Sequence, residues 1–271
     1  MRRSHSPTPG PLYSPALLKE RLNPFRLYYC ARVRSTNDHA LALRRRRQLY
    51  APAVVLTSHQ IAGRGRGSNT WWSGRGSLTA TFCVPVDPKR PAHHIPLLAG
   101  LCVRDALVDV LEESPASQEI KIKWPNDLWH DDLKLAGLLC ERFDHVDFIG
   151  VGLNINVNPA DIPKGLRHRV TSVNALTDGS PLDVSTVLCA VAGQIAGRLL
   201  RVKNPGESFA MALKQLQRLH ALTGRVIRVT ETGTHAPIQG VCEGIGSEGE
   251  LLLATPNGTR AVVAGHVEVV I

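Results

Sequence analysis

The chain has 271 residues, 43% of them hydrophobic and 20% charged, with a formal net charge of +9. That describes a soluble globular protein long enough to bury its own core, and no apolar run is long enough to span a bilayer. The charge is uneven: residues 1–50 hold ten Arg and Lys19 against Glu20 and Asp38, while the remainder balances 21 basic with 21 acidic groups. The first thirty residues lack the apolar stretch of a secretory signal. Six cysteines are scattered without a C-x-x-C pair, mostly inside apolar runs. They read as reduced, buried thiols in a cytosolic protein rather than as disulfides or a zinc site.

In chain order, residues 1–24 carry five prolines and predict a loose basic arm with one brief helix near Leu17–Leu22. A strand over Phe25–Cys30 precedes Ser35-Thr36-Asn37-Asp38, whose side chains suit a helix N-cap, and an Ala/Leu-rich helix running to about Tyr50. Its end carries Arg44-Arg45-Arg46-Arg47, which reads first as a solvated helix terminus. A strand at Ala53–Ser58, a glycine-rich loop, a strand at Leu78–Val84 and a helix over Ile95–Glu113 follow. Ile120–Trp124, Asp127–Trp129, Leu133–Glu141 and Val146–Asn154 predict strands joined by tight turns. Residues 157–170 form a Pro/Gly/basic loop long enough for a lid, and helices at about 183–203 and 205–221 come next. Beyond Gly224, five short β-rich segments predict a small SH3-like barrel. The expected fold class is α+β: a mixed sheet with flanking helices over 25–222, followed by the barrel over 223–271.

Two popular signatures fail on context. Gly244–Gly249 matches G-x-G-x-x-G but precedes a strand-like segment, which makes it a β-turn. Asn257-Gly258 sits between two strands and reads as a hairpin turn. Three other segments carry chemistry. Gly63-Arg-Gly-Arg-Gly67 combines a backbone able to present N–H groups at close range with two planar cationic forks, the chemistry of an anion cradle. In Lys121-Ile-Lys123-Trp-Pro-Asn-Asp127, followed by Lys134-Leu-Ala-Gly137, a tight turn brings Lys134 back toward Asn126 and Asp127. An ammonium at the core's edge needs an anionic partner there. The third is Gly150-Val-Gly-Leu-Asn-Ile-Asn156, a strand ending in asparagines that suit a ribose or purine edge, or simply a turn cap.

Taken with Ser35-Thr36-Asn37 and the stretch from Gln60 to Trp72, these segments occur in the order and spacing of biotin–protein ligases. The chain resembles that family from about residue 25 to its end, and lipoate–protein ligases share the fold. The resemblance implies ATP-dependent activation of biotin as biotinyl-5′-adenylate and its transfer to one lysine of a carrier domain in a biotin-dependent carboxylase. It implies Lys134, Arg66 and Asp127 as catalytic residues. Ser35, Thr36, Asn37, Gln60, Gly63, Arg64, Lys134 and Gly137 would bind biotin. Arg64, Arg66, Trp71, Lys123, Asn126, Asp127 and Asn154 would bind the nucleotide. Mg²⁺ would be held mainly by the ATP phosphates, with Asp127 either helping or orienting Lys134.

Gly67 departs from relatives that carry a further arginine in this loop. About 24 residues precede the first catalytic strand, too few for a three-helix DNA-binding module, so the expectation is a monofunctional cytoplasmic ligase. A homodimer stays open. The alternatives are a lipoate or octanoate ligase on the same fold, or a nucleic-acid-binding protein using the arginine-rich N-terminus.

Overall fold

The computed structural model describes residues 13–233 and 236–270. The expected arm therefore lies outside the described residues up to residue 12. From residue 13 it is not loose. Helix α1 (Pro15–Arg21) buries Leu18, and Tyr13 and Leu22 join the same core. Tyr13 donates its hydroxyl to the Thr57 carbonyl at 3.0 Å. Leu18 and Leu22, one helical turn apart, give this short segment an apolar stripe that has to be covered.

Strand β1 (Arg26–Val33) leads into helix α2 (Thr36–Arg45), where the Ser35 hydroxyl accepts from the Asp38 N–H. The helix stops before Tyr50. Arg47 takes a left-handed φ of 57°, and the Gln48 N–H returns to the Leu43 carbonyl, so the chain reverses and buries Leu49 completely. Strands β2 (Ala53–Gln60), β3 (Gly63–Arg64), β4 (Thr70–Trp71) and β5 (Ser77–Pro85) come next. Helices α3 (His94–Val110) and α4 (Pro115–Gln118) precede β6 (Lys121–Lys123), β7 (Asp127–His130), β8 (Leu133–Phe143) and β9 (Val146–Asn154). After α5 (Val184–Ile195) and α6 (Pro205–Leu219), five strands close the chain: β10 (Val226–Glu231), β11 (Ile238–Ile245), β12 (Leu251–Thr255), β13 (Gly258–Val262) and β14 (Gly265–Val269). The two dismissed signatures are turns, one entering β12 and the other joining β12 to β13.

The seven-stranded sheet runs β1-β2-β5-β9-β8-β7-β6, antiparallel except for the β1–β2 pair. Its central strands are buried on both faces, and their period-2 alternation assigns each side chain a layer. Val54, Leu56, Phe82, Ile149, Val151 and Leu153 face the layer of α3 and α5. Ala53, Val55, Cys83 and Phe148 face α2, under Ala40 and Leu49. Each large side chain so buried contributes about 1.5–3 kcal/mol.

The smaller sheet, ordered β13-β12-β11-β10-β14, is antiparallel throughout, and its five strands fall at the five predicted segments in an arrangement compatible with a small barrel. Its core residues Ile227, Val229 and Leu253 belong to the same apolar cluster as the larger sheet. Trp124, 2% exposed, donates its indole N–H to the Gly249 carbonyl at 3.0 Å. Trp124→Phe strips that carbonyl of its partner and leaves a void, and is expected to cost about 2 kcal/mol in urea unfolding. Of the six thiols, all unpaired, Cys30 and Cys140 are only partly buried.

Candidate active site

The face of the sheet that carries the apolar layer beneath α2 changes character further along the strands. In β5 the residues on that face run Cys83, Thr81, Thr79, Ser77; in β9 they run Phe148, Gly150, Gly152, Asn154. Thr81 pairs with Gly150, Thr79 with Gly152, and Gly152 also with Gly137 of β8. Side-chain volume falls away along the face, and a cavity of about 340 Å³ opens over this floor of threonine and glycine.

One end is a closed polar network. The Gln60 carbonyl oxygen accepts from the Thr36 N–H at 2.9 Å, and its amide donates to the Ser73 hydroxyl at 3.2 Å. The Thr81 hydroxyl donates to Asn37 Oδ1 at 2.6 Å and lies 2.9 Å from the Thr36 hydroxyl. Asn37 Nδ2 is spent on the Leu139 carbonyl and Glu141. Ser35, Thr36 and Asn37 are presented here because the N-terminus of α2 abuts the floor. A Cβ on Gly150 would stand 2.3 Å from Asn37 Oδ1, so only glycine fits beneath it.

The other end is cationic. The β7–β8 turn, with left-handed Asp131 and Asp132, folds Lys134 back so that Nζ lies 2.8 Å from Asp127 Oδ1. The pair lacks hydrogen-bond alignment, and that oxygen accepts no hydrogen bond. Arg66 donates to the Gly265 carbonyl at 3.0 Å and approaches Asn126 Oδ1 at 3.5 Å. Lys123 donates to the Val267 carbonyl at 2.9 Å and lies over the Trp129 ring. Burial pulls the pKa of both Arg66 and Lys123 below the ordinary range, opposed in each case by Asp127. Trp71 crosses the middle: a Cβ on Gly152 would come 2.3 Å from its Cε2, and Lys134 Nζ is 5.7 Å from its ring centre.

Two buried polar atoms at this cavity have no partner, Trp71 Nε1 and Asn154 Oδ1, and a third, Asp127 Oδ1, faces the Lys134 ammonium without an aligned hydrogen bond. Orphaned buried groups are rare in folded proteins, and their gathering at one cavity points to a ligand.

Of the residues expected from sequence, Gly63 alone does not line the cavity. It lets Gln60 and Trp71 approach instead, since a Cβ there would meet both at 2.5 Å. Arg64 lines it, but its guanidinium is held by Asp38 at 2.7 Å and Glu141 at 2.6 Å, so half of the expected anion cradle is already neutralised. Asn154 lines it, whereas Asn156 braces the backbone of Leu182. The residues missed include Thr79, Leu138 and Leu139 of the sheet, Leu166, Arg169 and Val170 from a loop pinned by Lys134 backbone hydrogen bonds, and Gly265–Val267 of the small sheet. The basic run of the 157–170 loop hinted at Arg169; no local pattern marks the others. Among the described residues no cluster of three or more His, Cys, Asp or Glu is placed to hold a metal, and Asp127 is the cavity's one carboxylate.

The chain matches a defined class: the model of the biotin/lipoate A/B protein ligase family covers residues 29–158. A biotin–[acetyl-CoA-carboxylase] ligase of Paracoccus denitrificans is 32% identical over 244 residues, 88% of this chain and 98% of the relative. The bifunctional ligase/repressor of Bacillus subtilis is 29% identical over 230 residues, 79% of this chain. This chain spans only 65% of that relative's length. The structure of a biotin protein ligase from Aquifex aeolicus in complex with biotin and ATP superposes with a TM-score of 0.75 at 26% identity, covering 90% of this chain and 98% of that one. The chain belongs to the biotin–protein ligase family.

Proposed function

We propose that this protein activates biotin with ATP and transfers it to a lysine of a biotin carboxyl carrier domain, with residues 25–222 carrying the reaction and 223–271 forming a small β domain against it. The observation that carries the reading is the pairing of a closed polar network with a cationic end in one cavity, with unspent buried polar atoms at the same cavity. A ureido ring offers both donors and acceptors, which suits Thr36, Asn37 and Gln60. A lipoyl or octanoyl tail would need an apolar tunnel there. Ser35 and Gly137 complete the biotin end.

In the first half-reaction a carboxylate oxygen attacks the α-phosphorus, the bond to the β-phosphate oxygen breaks, and pyrophosphate leaves. In the second, the lysine amine attacks the acyl carbon and AMP departs. No protein nucleophile is needed. The demand is to hold two anions together, and Lys134 and Arg66 supply charge there. Lys123, Asn126 and Asn154 serve the nucleotide, and Trp71 Nε1 is an unspent donor. Mg²⁺ would arrive on the phosphates, since Asp127 is committed to orienting Lys134. Six unpaired thiols support a cytoplasmic location.

The deciding experiment incubates the protein with biotin, Mg-ATP and an isolated carrier domain. A mass gain of one biotin on one lysine is expected; a gain with lipoate or octanoate in its place would give the site to the sister chemistry. Gly150→Ala tests the ring end. The added methyl displaces Asn37, which is tied on its other side to Leu139 and Glu141. The KM for biotin should rise about tenfold or more, as when one buried polar partner is lost, with little change in the KM for ATP.

A further inference from the structure

The basic excess of the first fifty residues is not spent in the cavity. Within the described residues, Arg26, Arg32, Arg34, Arg45, Arg46 and Arg47 all stand exposed on β1 and at the end of α2. Arg44, next to them, is bound to Asp144 at 2.8 Å. β1 is the edge of the large sheet, with no described strand on its outer side. Tyr50 (57%) and Phe143 (38%) are exposed on the α2 side with these arginines, while Leu27 (40%) and Tyr29 (52%) emerge on the opposite face of the same edge strand. Arg26 lies over the Tyr50 ring and Arg45 over Phe143, so this side of the molecule carries a strip of arginine–aromatic pairs.

The strip leads to the cavity. β1 ends at Val33, whose neighbour Arg34 bonds the Ala62 backbone beside the glycine–arginine loop. α2 lines the cavity at its first turn and ends at the arginine run, about 15 Å away for ten residues. A standard protein footprint of about 800 Å² has a radius of about 16 Å. A folded partner that lodges a lysine in the cavity therefore reaches the near end of the strip. Exposed Tyr and Arg are the groups that protein interfaces favour. A second copy of this chain would set arginine against arginine. For a polynucleotide, the cationic track is broken by Asp38 and Asp144.

We propose that this strip is the docking surface for an acidic face of the carrier domain, an inference that rests on the ligase reading above. The test uses the full chain with Arg45, Arg46 and Arg47 all changed to Glu, and a second variant with all three changed to Gln. None of the three touches the cavity. Biotin-dependent ATP–pyrophosphate exchange should stay at the wild-type rate in both. The KM for an isolated carrier domain should rise about tenfold at low salt in the Glu variant and less in the Gln variant, with a flattened salt dependence. Unchanged carrier KM and salt dependence in both variants would overturn the proposal. So would an equal loss of exchange and transfer in both, or lost duplex-DNA binding with an unchanged carrier KM. Absence of exchange in the wild type would sink the ligase reading; direct titration with the carrier domain then decides the surface separately, by whether affinity falls in the variants.

Discussion

Lys134→Ala is expected to slow biotin-dependent ATP–pyrophosphate exchange by about 10²- to 10³-fold, the loss typical of removing one charge-stabilising donor from a reacting centre. Two effects add. The ammonium that faces the carboxylate and phosphate disappears, and Asp127, now without its counter-ion 2.8 Å away, turns a negative charge toward the same anions. Asp127→Asn in the Lys134→Ala background separates them: it should recover part of the rate by relieving the repulsion alone. Wild-type exchange in Lys134→Ala would remove the residue from its role, provided that the variant's melting temperature matches the wild type.

Arg66→Gly should have its largest effect on the fate of the intermediate rather than on its formation. A charge-assisted hydrogen bond contributes about 1.5–3 kcal/mol, so losing the fork at the phosphate speeds adenylate escape about 10- to 100-fold. The released mixed anhydride acylates whatever amine it meets. Biotinylation of bystander lysines on an unrelated protein, read by avidin blot, should rise in proportion. Arg66→Lys, which keeps the charge but not the fork, should fall between the two. Bystander labelling at the wild-type level in Arg66→Gly would assign retention to other groups.

The sheets were legible because their signal is local. Short, nearly continuous apolar runs at Ala53–Ser58, Leu78–Val84 and Val146–Asn154 mark strands buried on both faces. The helix to Tyr50 was overread because four arginines continue a helical composition, while the burial of Leu49, a tertiary demand, bends the chain after Arg46. The site was legible where chemistry and spacing coincide, as for Lys134 and Asp127 across one turn. It was illegible where partners are distant. Nothing near Arg64 announces that Asp38 and Glu141 will neutralise it, and nothing near Gly265 announces Arg66, 199 residues away. The docking of Tyr13 and Leu18 was hidden for a similar reason, because polar and proline-rich flanks disguised a short apolar stripe.

Two carbonyls of β14, those of Gly265 and Val267, hold Arg66 and Lys123. Pulled away, the small sheet would strand two partly buried cations and the buried Trp124 indole without acceptors, a cost above that of lost surface contacts. The two sheets are therefore bound into one cooperative melting unit. A cut after residue 222 would not leave the cavity intact; it would remove the part of its wall formed by Gly265–Val267, and Arg66 and Lys123 would have to be settled by water or by unfolding.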